Sequence, residues 1–259
     1  MMWERYQEPL SLNDMADSAQ LSRFHFARVF RGVTGTSPRR FLSAIRLSSA
    51  KRLLINTTLS VTDIAFMVGY NSLGTFTTRF HSSVGLTPTE FRAYARGESF
   101  PLLPPRPNAS RQLGAVHGKM FVPRSGTAYR IYVGVFSSAL VEGMPVSCDV
   151  LDSPADGCRV HDYQLDAVPV GDWHIRSVAV ALHRSGADPR PWTRLGLVGD
   201  PRPVTLRAGD DVEIDFEMRD LDVTDLPILL ALPDLDYGDL PDLTSIRSTA
   251  RSRDLRLSG

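Results

Sequence analysis

SLNDMADSAQLSRFHFARVFRGVTGTSPRRF, residues 11–41, and SVTDIAFMVGYNSLGTFTTRFHSSVGLTPTEF, residues 60–91, are two copies of one pattern. Ser11, Asp14 and Ala16 align with Ser60, Asp63 and Ala65 at an offset of 49. One extra residue in the second turn raises the offset to 50, where Phe26 meets Phe76, Phe30 meets Phe80, Gly35 meets Gly85, Pro38 meets Pro88 and Phe41 meets Phe91. A solenoid needs about three or more repeats, so two copies read as a duplicated supersecondary unit.

Each copy carries helix punctuation. Ser11 and Ser60 can cap orphan amides, and Asp14 and Asp63 suit the positive end of a helix dipole. Leu12, Met15, Ala16 and Ala19 repeat at helical spacing, as do Val61, Ile64, Ala65 and Val68. A second helix is expected from about Ser22 and Ser72, with Phe26, Val29 and Phe30 inward in one copy and Phe76 and Phe80 in the other. Gly35 and Gly85 suit the C-terminal caps. Ser37-Pro38 and Thr87-Pro88 start further helices, and Thr87 with Glu90 makes a capping box. Between the copies, Phe41, Leu42, Ile45, Leu53 and Leu54 fall along one helix over about 38–55.

A short helix, a tight turn and a second helix with an apolar back and polar front form a helix-turn-helix arrangement, expected at about 11–35 and again at 60–85. Residues 11–96 resemble the DNA-binding domain of AraC/XylS-type regulators. The resemblance is carried by Ser22, Phe26, Arg28, Phe30 and Gly35, and by Arg46, Ala50, Leu53 and Leu54 in the linking helix. It continues through Ile64-Ala65, Gly69-Tyr70, Phe76, Phe80, Gly85 and Thr87-Pro88-Thr89-Glu90-Phe91-Arg92. It implies a bacterial transcription regulator with double-stranded DNA as partner and RNA polymerase as a further one; no cofactor is expected, and the lack of a membrane helix or signal-peptide core favours the cytoplasm.

The resemblance also implies site residues. Arg23, Phe24, Ala27 and Arg28 would face bases from the first unit, with Arg28 able to fork onto a guanine edge. Leu73, Gly74, Thr77 and Thr78 hold the matching places in the second. Thr78 departs from the arginine often found there and Gly74 from a polar residue, which implies weaker reading by the second helix. Arg31, Arg39, Arg40, Arg79 and His81 are assigned to phosphates, which position without reading sequence. Solvated charges are the competing reading of Arg31, Arg39 and Arg40, and a core position that of Phe24. Met1 to Tyr6 stand where the family has a longer first helix, so either that helix is shortened or the start is assigned late.

Composition agrees with a split chain. The 259 residues are 42% hydrophobic with formal net charge zero, yet residues 1–100 hold 12 Lys+Arg against 7 Asp+Glu and the remainder 17 against 22. The neutrality is a cancellation, as expected where one half meets phosphates. No apolar run reaches the roughly 18–20 residues of a membrane helix, and no signal-peptide core opens the chain. With Cys148 and Cys158 as the whole thiol complement, neither a disulfide framework nor a structural zinc site is expected. A redox switch is not expected of them either. His161 and His174, with Asp162 and Asp172, lack metal-ligand spacing. No nucleophile elbow, phosphate loop or zinc-protease pair argues for an enzyme.

Beyond a Pro-rich stretch the period changes. TAYRIYVGVF, PVSCDVL, CRVHDYQLDAV, DWHIRSVAVAL, RPVTLRAG and DVEIDFEMR are short alternating runs that predict strands. Spacing and the run Val168-Pro169-Val170-Gly171-Asp172-Trp173 resemble carboxypeptidase-regulatory-like or prealbumin-like sandwiches, which are accessory or binding modules. The expected architecture is therefore multidomain α plus β, an all-α tandem helix-turn-helix domain (1–99) joined to an antiparallel β-sandwich. A linker is expected at 100–117, the sandwich at 118–233 as an effector-sensing or protein-binding module, with the acidic stretch Asp210 to Asp225 as a strand's solvated face, and a polar tail at 234–259. A non-specific architectural DNA binder is the alternative, and an enzyme using the C-terminal domain a more distant one.

Overall fold

The computed structural model describes residues 1–96, 112–157, 159–182 and 195–231. The expected polar tail, most of the expected linker, and Cys158 lie outside them.

Among the described residues seven helices occupy the N-terminal part: α1 (Met2–Arg5), α2 (Leu12–Ser18), α3 (Arg23–Thr34), α4 (Pro38–Asn56), α5 (Val61–Met67), α6 (Leu73–Val84) and α7 (Pro88–Tyr94). Their starts follow the hydroxyl caps: Ser11, Ser22, Ser37, Ser60, Ser72 and Thr87 each accept an amide two to three residues into the helix. Ser11 with Asp14 and Thr87 with Glu90 form reciprocal capping boxes. Both α3 and α6 stop at a left-handed glycine, Gly35 (φ 73°) and Gly85 (φ 89°), as helix C-caps prefer.

The turns within the two units share their geometry. Gln20 and Gly69, matched at the offset of 49, both take positive φ, 55° and 89°. The following amides, Leu21 and Tyr70, return to the carbonyls of Ala16 and Ala65 at 3.0 Å each. The extra residue of the second copy is therefore Asn71, just after the turn.

Aromatic rings tie α3 and α6 each to the helix that follows it. Phe80 lies 5.6 Å from Phe76 and 5.7 Å from Phe91, while Phe30 lies 5.4 Å from Phe26 and 5.3 Å from Phe41. The copies differ in depth: Phe76 and Phe80 are wholly buried, but Phe26 and Phe30 are partly exposed. Val29, expected inward, is instead 42% exposed. Two arginines of the family pattern serve the fold. Arg46 donates to the carbonyls of Tyr6 and Glu8 at 2.7 Å, and Arg92 to those of Leu54 and Leu59 at 3.3 and 2.5 Å.

The C-terminal region is sheet-rich and nearly barrel-like. Its strands are β1 (Leu113–Phe121), β2 (Tyr129–Phe136), β3 (Cys148–Ser153), β4 (Val160–Pro169), β5 (Gly171–Ala181), β6 (Leu195–Gly199), β7 (Arg202–Leu206), β8 (Asp211–Glu213) and β9 (Phe216–Asp220). They run in the order β3-β2-β5-β6-β9-β1-β4, with β7 also on β5 and β8 also on β1.

The expected antiparallel sandwich needs correction on two counts. β1 pairs in parallel with both β8 and β9, and β9 links what would be two separate sheets into one path. The ends of that path approach each other, where Ser147 Oγ donates to the Asp166 carbonyl at 2.8 Å and the Gln164 amide to Asp149 Oδ2 at 3.2 Å. Ile131, Leu165, Ile175, Phe216 and Met120 fill the enclosed interior. The first strand begins at Leu113, inside the stretch expected as linker. Asp210 to Asp225 is not one strand but β8, β9 and a turn.

Candidate nucleic-acid interface

Phe26 and Phe30 are the partly buried aromatic residues of α3, and the basic residues of the helix are exposed. Arg23, Phe24 and Arg28 are exposed and Ala27 is half-buried. Phe24 is 75% exposed, which removes the core reading, and its ring receives the Arg23 guanidinium 4.8 Å from its centroid. A cation–π contact at so exposed a site contributes about 0.5–1 kcal/mol. Arg28 lies one turn on, its Nη2 3.1 Å from His25 Nδ1. His25 was not singled out in the sequence, although its spacing of three from Arg28 puts both on one helix face.

α6 offers different chemistry. Leu73, Gly74 and Thr78 are exposed and Thr77 is half-buried. A side chain at Gly74 would meet no heavy atom within 4 Å, so this position is open surface. Thr77 Oγ1 donates to the Gly74 carbonyl at 3.1 Å. Its hydroxyl proton is thus spent on the helix, leaving an accepting lone pair and a methyl group for any partner.

Among the residues assigned to phosphates, Arg31, Arg39 and His81 are exposed and Arg79 is half-buried. Arg79 stands near Tyr70, whose hydroxyl shares a hydrogen bond with Ser43 at 3.2 Å. Burial pushes the Tyr70 hydroxyl above its ordinary pKa, against the smaller opposing pull of Ser43, Arg79 and Arg46, so it stays neutral near pH 7. Arg40 is engaged elsewhere: it donates to Ser138 Oγ at 3.3 Å and forms an ion pair with Glu142, both in the sheet domain.

Among the described residues no group of three or more His, Cys, Asp or Glu could hold a metal ion. His161 faces Met120 across β1·β4, while His174 faces Phe136 and Pro203 from β5. No helix of the described residues is long and apolar enough to cross a membrane.

Residues 15–94 match a family described as a helix-turn-helix domain. The chain is 38% identical over 86 residues to the RCS-specific HTH-type transcriptional activator RclR of Escherichia coli K12, covering 33% of this chain and 30% of that protein. It is 34% identical over 98 residues to the transcriptional regulator Rob of Salmonella typhimurium, covering 38% and 34%. It is also 32% identical over 95 residues to the bifunctional transcriptional activator/DNA repair enzyme AdaA of Bacillus subtilis, covering 37% and 45%. Among solved structures it is similar to an AraC-type transcriptional regulator from Chromobacterium violaceum, with 33% identity over 36% of this chain and 82% of that one and a TM-score of 0.35. The chain spans about a third of the length of the first of its curated relatives, the melibiose operon regulatory protein of Escherichia coli, covering 33% of it. Residues 15–94 are thus a helix-turn-helix domain similar to those of transcription regulators.

Proposed function

We propose that the chain is a sequence-specific transcription regulator of the AraC/XylS type that inserts α3 and α6 into successive major grooves of one duplex. The observation that carries this reading is the pairing of two duplicated helices, each with an exposed front and an aromatic back, on a single connecting helix. α4 has 19 residues, or about 28 Å of helix, comparable to the roughly 34 Å between successive major-groove faces.

In this reading the first unit does most of the base recognition. Arg28 forks onto a guanine edge, Arg23 works from its seat on Phe24, and Ala27 is small enough for close approach. The second unit reads weakly through Leu73, Gly74, Thr77 and Thr78, by methyl contacts and threonine oxygens. Arg31, Arg39, Arg79 and His81 fix the register on phosphates. Arg40 reaches a phosphate only by leaving Glu142. RNA polymerase and an effector or protein bound by the sheet domain complete the reading.

A competition mobility-shift assay tests it. The full chain, offered duplexes enriched from a random pool, should hold them against a large excess of random DNA. Equal displacement by both would make the chain a non-specific, charge-driven binder.

A further inference from the structure

The sheet domain touches both helix-turn-helix units through two segments. Residues 137–144, which follow β2, reach the start of α4 and the end of α6. Glu142, 16% exposed, pairs with Arg40 in the first turn of α4 through Oε1 and accepts the Ser83 hydroxyl near the end of α6 at 3.0 Å through Oε2. The Gly143 amide donates to the Ser83 carbonyl at 2.8 Å. At the C-cap of α3, a Cβ on Gly35 would lie 3.1 Å from that of Ala139.

Residues 222–231 form the second segment. The Val223 carbonyl accepts Trp3 Nε1 at 3.2 Å, the Leu230 carbonyl accepts Lys51 Nζ at 3.2 Å, and the Ala231 amide donates to the Val84 carbonyl at 3.0 Å. Leu229 and Leu140 are buried within the core of the helical domain. Arg219 anchors this segment to the sheet, bonding Asp200 and Asp225 at 2.8 Å each. As a result α4 is covered on opposite faces, at Phe41 and Ile45 and again at Leu47, Ala50 and Leu54. Along these two faces α4 is internal to the assembly, while Arg39, Arg40 and Arg52 stay exposed.

Glu142 is one carboxylate shared by the start of the connecting helix α4 and the end of α6, so movement of α6 relative to the start of α4 strains one of its bonds. Charge-assisted bonds of this kind are about twice as strong as neutral ones. Ser83, 1% exposed, finds little water to replace its partner. The first unit is the less completely packed of the two and has most to gain from an external brace.

We propose that Glu142 is a positioning residue, and that the sheet domain, through it, sets the spacing and angle between the two recognition helices. The consequence for DNA rests on the reading given under Proposed function. Bases are read by side chains of α3 and α6, whereas the number of base pairs between half-sites is read by the distance between the helices. Loosening the brace should therefore broaden the accepted spacing and leave each half-sequence intact.

The test uses the full chain carrying Glu142→Ala, or Glu142→Gln, which keeps shape and removes charge. Duplexes are selected from a random pool, and thermal melting checks that each variant folds. The wild type should enrich half-sites at one spacing, and Glu142→Ala should accept spacings spread over about two or more base pairs with unchanged half-sequences. A second measurement does not depend on DNA. Spin labels at Asp17→Cys and Thr62→Cys, in a Cys148→Ser/Cys158→Ser background, report the distance between units. That distance should be narrowly distributed in the parent, broad in Glu142→Ala and intermediate in Glu142→Gln. If the wild type enriches no site, the DNA-binding reading fails and the labels alone decide the brace. A lower melting temperature with unchanged spacing and distance would leave Glu142 as a stabilising contact and overturn the proposal.

Discussion

Phe30→Ala and Phe80→Ala remove the same ring from matched positions of the duplication, yet the two should differ in cost. Phe80 is fully buried and meets rings at 5.6 and 5.7 Å; Phe30 is partly exposed and meets rings at 5.4 and 5.3 Å. The aromatic pairs are equivalent in number and distance, so their loss, about 0.5–1.5 kcal/mol per pair, cancels from the comparison. What remains is burial and cavity formation. A buried phenylalanine truncated to alanine costs about 3–5 kcal/mol, whereas a site open to solvent leaves a smaller cavity and returns less area to water. Phe80→Ala should therefore exceed Phe30→Ala by about 1–2 kcal/mol, a large share of a typical 5–15 kcal/mol total. Urea titration followed by helical circular dichroism gives the two losses, and hydrogen exchange of α3 and α6 amides assigns each to its unit. Equal losses, or a larger one at Phe30, would refute the claim that the first unit is the less completely buried.

Three further outcomes follow from named contacts. Arg28→Ala should cost about 1–3 kcal/mol on the preferred duplex and relax its sequence preference; an equal loss on random DNA in the same mobility-shift titration would move Arg28 to the phosphates. Gln20→Gly should stabilise the chain by up to about 1 kcal/mol, because Gln20 holds a left-handed conformation that glycine adopts freely. Gly69→Ala should destabilise it by more than that, since the added Cβ would sit 2.7 Å from the Gln7 carbonyl; melting curves showing both substitutions neutral would contradict the turn geometry. The amide and hydroxyl of Thr87 hold the Glu90 carboxyl below its ordinary pKa, against a smaller upward push from burial. A depressed carboxyl pKa contributes stability that is complete above the unfolded value, about 4.3 for Glu, and fades as pH falls through the folded one. Urea midpoints measured from pH 6 downward should thus fall less steeply in Glu90→Gln than in the parent, and parallel curves would remove this cap from the acid response.

The helical domain was legible in the sequence because its instructions are local. A serine caps an amide three residues away, a glycine takes positive φ where a helix must stop, and phenylalanines at a spacing of four mark one helix face. These features placed α2 to α7 from the pattern alone, whereas the front residues of α3 and α6 came from the family resemblance and Val29 was expected on the wrong face. The same rules gave strand periodicity in the C-terminal half but not the closure of the sheet. Parallel pairing of β1 with β8 and β9 joins residues nearly a hundred positions apart, and nothing in Leu113 to Phe121 announces it.

Only tertiary structure distinguished Phe26 and Phe30 from Phe76 and Phe80. Residues identical in sequence differ in burial because the elements covering them differ. It was tertiary structure, too, that turned Arg40 from an expected phosphate ligand into the partner of Glu142, 102 residues away. Leu226 to Ala231, unremarkable as a string, became part of the seam between the domains. Caps and turns are satisfied within a few residues of themselves and so are written in the chain. Burial, ion pairing and sheet closure depend on which distant segment arrives, and that is decided when the two halves pack together.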